Sequence, residues 1–231
     1  MTFDFTICIT TIGRASLHTA AVFALAAIDR APHVCELLIV DDRKETERDT
    51  QLSLPADTRI RIVRGRAMGW CGPARNTGLM TAASPWILFC DDDDILHPNC
   101  IVWFKEQLEL VPKLDVLIWR AAGKFDHLPH DYPIPPRNCV DLQRGLVTNS
   151  LCVRRESGLR YGEDVMRHWI KPGFEGALQH RHKETMAPDD DFQFMKDAVG
   201  AGAVVAMSSY LAYGFGQPPP IESIKFPLVI L

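Results

Sequence analysis

The chain reads as an α/β protein with a mostly parallel central sheet and helices on both faces, and three features carry that expectation. Two short and almost wholly apolar runs, ELLIV at Glu36–Val40 and WILFC at Trp86–Cys90, have the character of strands buried on both faces. Stretches with helical spacing of apolar residues alternate with such runs along roughly the first 120 residues, the order that yields parallel strands joined by crossover helices. The length of 231 residues suits one core, since single cores stop growing at about 250–300 residues.

Phe5–Ile9, rich in β-branched and aromatic residues, is the first strand. After a turn at Gly13, Leu17, Ala20, Ala21, Leu25 and Ile28 share one face of a helix over Ser16–Ile28. ELLIV is the second strand and ends abruptly in Asp41 and Asp42; Arg59–Arg64 is a third. Pro73 suits the first turn of a helix reaching Ala83, WILFC follows, and Pro98 opens an amphipathic helix to Leu110. Asp115–Trp119 completes the alternation. Composition then changes: residues 121–145 hold four prolines among scattered His and Asp, and residues 154–186 hold most of the remaining His and Arg, as in loops that shape a substrate pocket. Asp191–Val199 reads as a helix, and Ala203–Met207 and Tyr210–Tyr213 as two short strands.

Composition excludes several function classes. Hydrophobic residues at 47% and charged residues at 23% rule out disorder for most of the length. With 25 Lys plus Arg against 29 Asp plus Glu, the net charge of -4 offers no basic field for nucleic acid or anionic lipid. Seven cysteines at irregular spacings lack the two-residue gap of zinc sites or redox dithiols, and read as reduced thiols of a cytoplasmic protein. Met1–Thr11 is strand-like and unlike a signal peptide. Ala198–Ile221 carries no charge, yet Gly200, Gly202, Gly214, Gly216 and three consecutive prolines interrupt it, so no transmembrane segment is expected.

In an open α/β sheet, ligands bind beyond the carboxyl ends of the strands. Three apolar runs end there in polar groups: Thr10, Thr11 and Arg14; Asp41 and Asp42; and Asp91, Asp92, Asp93 and Asp94. Adjacent carboxylates repel, by roughly 4 kcal/mol for two charges about 4 Å apart at an effective dielectric near 20. A divalent cation removes that penalty, and hard oxygen ligands suit Mn2+ or Mg2+ carrying a phosphate. A solvated acidic turn ahead of the Pro98 helix is the plainer alternative.

These residues resemble the family 2 glycosyltransferases, whose GT-A fold binds nucleotide sugars. The resemblance rests on an ordered set of motifs: ICITTIGR, LLIVDD, GPARNTGLMTAASPWILFCDDDDILHPN and APDDDFQFMKDAVGAGAVVAMSSYLAY. It implies a single Rossmann-like GT-A domain, with residues 1–120 as the donor-binding half and 121–231 as a smaller half for the acceptor and the catalytic base. By resemblance Asp42, with Asp41 beside it, meets the nucleobase, and Thr10, Thr11 and Arg14 line the same pocket. The Asp-x-Asp motif falls on Asp91 and Asp93, with Asp93 the metal ligand and Asp91 nearer the ribose, while the acidic Asp92 leaves that register open. Arg75 is similar to an arginine that faces the nucleotide and the acidic motif. The family's Glu-Asp pair becomes Asp190 and Asp191, following Asp189, so Asp191 aligns with the catalytic base; Glu163-Asp164 is a competing match.

Two departures bear on this. Arg43 and Lys44 stand where small residues are usual, and the Gln-x-x-Arg-Trp signature of processive synthases is missing. The resemblance therefore implies a metal-dependent, inverting, single-transfer enzyme of hexosyltransferase type that uses a nucleoside diphosphate sugar, UDP favoured. The acceptor hydroxyl would belong to a glycan, a lipid-linked molecule or a small molecule. The enzyme would be cytoplasmic, with peripheral membrane attachment as a variant. A non-catalytic nucleotide-sugar binding module, a sugar-phosphate nucleotidyltransferase and a metal phosphohydrolase are the rival readings. His180 and His182 suit a solvent-facing loop, and Trp169 and Phe174 suit packing, with acceptor contact as the other reading for each.

Overall fold

The structure, a computed structural model, describes residues 5–31, 35–67, 71–123, 141–142, 151–161, 190–216, 218–219, 226 and 228–231. Along the chain run β1 (Phe5–Thr11), α1 (Leu17–Arg30), β2 (Cys35–Asp41), β3 (Ile60–Arg64), α2 (Cys71–Thr81), β4 (Trp86–Asp91), β5 (Asp94–Leu96), α3 (Cys100–Leu110), β6 (Val116–Gly123), β7 (Leu151–Arg154), α4 (Asp190–Gly200), β8 (Val205–Phe215) and β9 (Val229–Ile230). They form one sheet in the order β3-β2-β1-β4-β7-β6-β8-β5, with β9 also on β8. β1 to β4, β6 and β8 run one way, and β5, β7 and β9 run against them. The mostly parallel sheet is therefore as expected, and β6 continues unbroken across the 120/121 division between the two expected halves.

The uninterrupted apolar runs are explained by burial on both faces. Ile7, Ile9, Leu37, Ile39, Leu88 and Cys90 belong to the core shared with α1 and α3, whereas Cys8, Leu38, Val40, Ile87 and Phe89 belong to the core shared with α2 and α4. Because successive strand residues point to opposite faces, one apolar run fills both cores. The approach of α2 to the sheet depends on Gly78: a Cβ there would lie 2.5 Å from the Cys8 sulfur.

One expectation is corrected. The two strands expected at Ala203–Met207 and Tyr210–Tyr213 are the single strand β8, which runs through Ser208 and Ser209. The serines look like a break in sequence, but the fold satisfies them. Ser208 is fully buried, its carbonyl accepts from Arg120 Nε at 2.9 Å, and Ser209 N–H donates to the Gln107 side chain at 3.0 Å. The register against β6 shifts on either side of Arg120. The middle of the uncharged Ala198–Ile221 stretch is thus the strand β8, Val205–Phe215, and among the described residues no helix is long and apolar enough to cross a membrane.

The strand order locates the site. From β1 the chain steps outward to β2 and β3, then returns to place β4 on the other side of β1. The carboxyl ends of β1 and β4 flank this reversal, the switch point at which a crevice opens in α/β sheets.

Candidate active site

At the reversal, Thr10 is paired in register with Asp91. Thr11, next along, donates its hydroxyl to Asp92 Oδ2 at 2.5 Å and accepts from the Gly13 N–H at 2.8 Å. Gly13 takes a positive φ of 88°, which releases the chain from β1 toward α1. Arg14 turns to the acidic run, with Nη1 at 2.7 Å from Asp92 and 3.1 Å from Asp93.

The four adjacent aspartates do not share one environment. Asp91 ends β4, Asp92 and Asp93 form a turn, and Asp94 begins β5. Asp92 is buried on Thr11 and Arg14. Asp94 is also buried, and accepts from the Tyr213 hydroxyl at 2.8 Å and the Gly216 N–H at 3.2 Å. Protein donors therefore relieve part of the repulsion that the sequence alone assigns to a cation. Asp93 stays half exposed. Burial pushes its carboxyl above the ordinary range; Arg14 opposes this, while Asp91 and Asp92 add to it.

Oxygens of Asp91, Asp93 and Asp94 lie within 4.8 Å of one another. An all-carboxylate set, one member of which is half exposed and disfavoured in its charged form, fits a hard divalent cation.

At the end of β2 the two aspartates part. Asp41 is tied to Arg43, which donates from Nε at 2.9 Å and Nη2 at 2.8 Å. Burial raises the Asp41 carboxyl, but the hydrogen bonds and charge of Arg43 overcome it and the net direction is down. Arg43 Nη1 also donates to the Glu47 and Thr50 carbonyls, so the unusual arginine pins the loop after β2, and its side chain fills the space above Gly13. Asp42 instead accepts from the Ala67 N–H at 2.7 Å, a residue held at φ 53°. Gly65 makes room for it, since a Cβ there would lie 2.4 Å from Asp42 Oδ1. Neither Gly65 nor Ala67 is signalled by any local sequence pattern.

Across the crevice, Arg75 is 1% exposed in α2 and joins the two halves of the chain. Its Nη2 donates to Asp91 Oδ1 at 3.0 Å and its Nη1 to Asp191 Oδ1 at 2.7 Å. Burial alone would lower the arginine's pKa, yet Asp191 and Asp91 hold it well above the ordinary value, so the charge is fixed. The Tyr161 hydroxyl donates to the same Asp191 oxygen at 3.2 Å, a contact absent from the sequence expectations. Asp190 is the first residue of α4, and its side chain lies outside the described residues. Asp189, Asp164, His180, His182, Trp169 and Phe174 lie outside them altogether.

The site thus gathers an acidic crevice at the β1/β4 reversal and a carboxylate, Asp191, brought up to it by a buried arginine. The family model for glycosyl transferase family 2 matches residues 6–128, more than half of the chain. A protein of Haemophilus influenzae described as an uncharacterized glycosyltransferase is 24% identical over 138 residues, covering 55% of this chain and 45% of that protein. Crystal structures of S. aureus TarS share the fold. Residues 1–349 superpose with a TM-score of 0.58 at 17% identity, over 93% of this chain and 60% of that one. The complex of the same TarS fragment with UDP-GlcNAc gives 0.60 at 16% identity, over 95% of this chain and 60% of that one. The chain therefore spans about half to three-fifths of these relatives. On the family match, together with this shared GT-A architecture, the chain belongs to glycosyl transferase family 2.

Proposed function

We propose that the chain is a metal-dependent, inverting, non-processive glycosyltransferase of hexosyltransferase type. It would transfer one sugar from a nucleoside diphosphate donor, UDP favoured, to a hydroxyl of a glycan, lipid-linked or small-molecule acceptor in glycan or polysaccharide synthesis. The observation that supports this most directly is the Arg75 fork, which draws Asp191 to Asp91 although the two stand on separate elements far apart in sequence. A solvated acidic turn has no use for such a bridge.

The division of labour follows from position. Residues 1–120 hold the donor: Asp42 meets the nucleobase, Thr10, Thr11 and Arg14 line the same pocket, and Asp91, with Asp92 beside it, lies nearer the ribose. Asp41 serves through Arg43 by fixing the loop after β2. Asp93 and Asp91, with Asp94 near them, would hold Mn2+ or Mg2+, which supplies counter-charge to the diphosphate leaving group. Residues 121–231 receive the acceptor, and Asp191, with Asp190 beside it, takes the proton of the attacking hydroxyl. Arg75, with both forks occupied by carboxylates, acts by holding Asp91 and Asp191 in place. The TarS complex with UDP-GlcNAc supports a UDP-sugar donor for this fold. The buried free thiols Cys8, Cys35, Cys90, Cys100 and Cys152 support a cytoplasmic setting, with peripheral attachment to a membrane as a variant.

Calorimetric titration with UDP, GDP, dTDP and CDP, with and without Mn2+, tests the donor site. UDP is expected to bind best and only with metal, and Asp93→Ala to abolish that binding. Binding that is unchanged in the variant refutes the metal site. Asp42→Asn is expected to raise the donor KM more than it lowers kcat, because a contact remote from the reacting carbon is uniform binding. Asp191→Asn should keep donor and metal binding yet lose transfer by roughly 10² to 10⁴ fold. Full activity in Asp191→Asn with an inactive Asp190→Asn or Asp164→Asn would move the base to that residue.

A further inference from the structure

We infer that Tyr161 is a positioning residue for Asp191: held in place by Asn76, its phenol joins Arg75 in fixing the orientation from which that carboxylate takes the acceptor proton. The inference rests on the reading of Asp191 as general base.

Tyr161 follows the turn after β7 and is 2% exposed. One side chain secures its backbone twice: Asn76 Nδ2 donates to the Tyr161 carbonyl and the Tyr161 N–H donates to Asn76 Oδ1, both at 2.8 Å. That pairing fastens the tyrosine to α2, the helix that also carries Arg75. The ring stacks on Phe194 at 4.3 Å between centroids, meets Phe89 edge-on at 6.0 Å, and lies 5.3 Å from the Arg75 guanidinium. Phe194 and Asp191 are three residues apart on α4 and so share a face, which sets the helix that carries the carboxylate in register with the ring whose hydroxyl binds it.

Tyr161 Oη and Arg75 Nη1 converge on a single oxygen, Asp191 Oδ1, at 3.2 and 2.7 Å. A carboxylate held by one donor can still swing about its χ angles, whereas two donors from different elements define its position. Burial, with the Asp191 charge next, pushes the phenol well above its ordinary range, so it keeps its proton and acts as a donor. A tyrosine serving only the core would need neither the clamp from Asn76 nor a hydroxyl directed at a carboxylate of the crevice.

Tyr161→Phe removes the hydroxyl and leaves the stack and the backbone clamp. The assay is release of nucleoside diphosphate from UDP-, GDP-, dTDP- and CDP-sugars by slow hydrolysis, following the donor that the unsubstituted chain turns over fastest. The variant is expected to lower kcat by about tenfold, the low end for losing a hydrogen bond to a charged group, with donor KM unchanged. In an Asp191→Asn background the same substitution should alter the rate by less than about twofold, because no carboxylate remains to be positioned. An unchanged kcat in Tyr161→Phe, with the loss in Asp191→Asn still seen, overturns the inference and leaves the base assignment standing. Full activity in Asp191→Asn overturns the base assignment itself. A loss that persists undiminished in the Asp191→Asn background, or that appears in KM, makes Tyr161 a residue of the fold and also overturns the inference. If the unsubstituted chain hydrolyses no donor in the panel, both readings fall.

Discussion

Replacing Arg75 by methionine tests the bridge on which the site is built. The guanidinium is 1% exposed and donates to carboxylates whose side chains are 26% exposed at Asp91 and 13% at Asp191. Methionine fills most of the volume but leaves two negative charges facing a site without its cation. Removing one partner of a buried ion pair costs about 3–5 kcal/mol, and the residual water access of both aspartates favours the lower end, about 3 kcal/mol. That is a large share of the about 5–15 kcal/mol by which a domain is stable. At about 2–4 °C per kcal/mol for a chain of this size, Tm should fall by about 6–12 °C. Scanning calorimetry and urea unfolding at neutral pH measure it. Asp191→Asn in the Arg75→Met background removes one stranded charge, so the double variant should be less destabilised than the sum of the single ones. Arg75→Lys restores a charge but not a fork, and should recover only part of the loss. A Tm within about 2 °C of the unsubstituted chain, or strictly additive losses, would show that the bridge carries no energy and refute the reasoning.

Two further outcomes follow from the core and the charged network. Hydrogen bonds from Arg61, the Ala83 N–H and Thr6 outweigh burial and lower the Glu36 carboxyl, as Arg43 does for Asp41. A folded-state value below the unfolded one contributes stability that is present above the unfolded pKa of about 4 and is lost as pH falls through the folded values. Urea midpoints should therefore drop below about pH 4, and Asp41→Asn should flatten that drop; an unaltered pH slope in the variant would count against the pairing. Gly78→Ala would set a methyl 2.5 Å from the Cys8 sulfur, and should destabilise by about 1–3 kcal/mol in the same unfolding assay. A neutral result would mean that α2 does not need this close approach.

The sequence by itself determined the parallel strands β1 to β4 and β6 and the polar groups at their ends, but not the short antiparallel strands β5, β7 and β9. ELLIV and WILFC are apolar throughout because both their faces are covered, and runs of that kind between helical stretches leave little choice but parallel strands. The aspartates at the strand ends were visible for the same reason, since a carboxylate after a buried run must lie where the sheet stops. What each aspartate does was decided only by the tertiary structure. Asp41 and Asp42 are neighbours in sequence, yet one is bound to Arg43 and the other to the Ala67 backbone. Asp91 to Asp94 form one acidic run in the sequence, but Arg75, Arg14 and Thr11, and Tyr213 divide it among themselves. Ser208 and Ser209 looked like the end of a strand until Arg120 and Gln107 supplied their hydrogen bonds. Tyr161 left no trace in the sequence because its partners come from α2 and α4, and a hydrogen bond between distant elements has no period and no local motif. Burial follows patterns that a chain repeats along its length, whereas polar partnership is a choice among neighbours that exist only once the chain has folded.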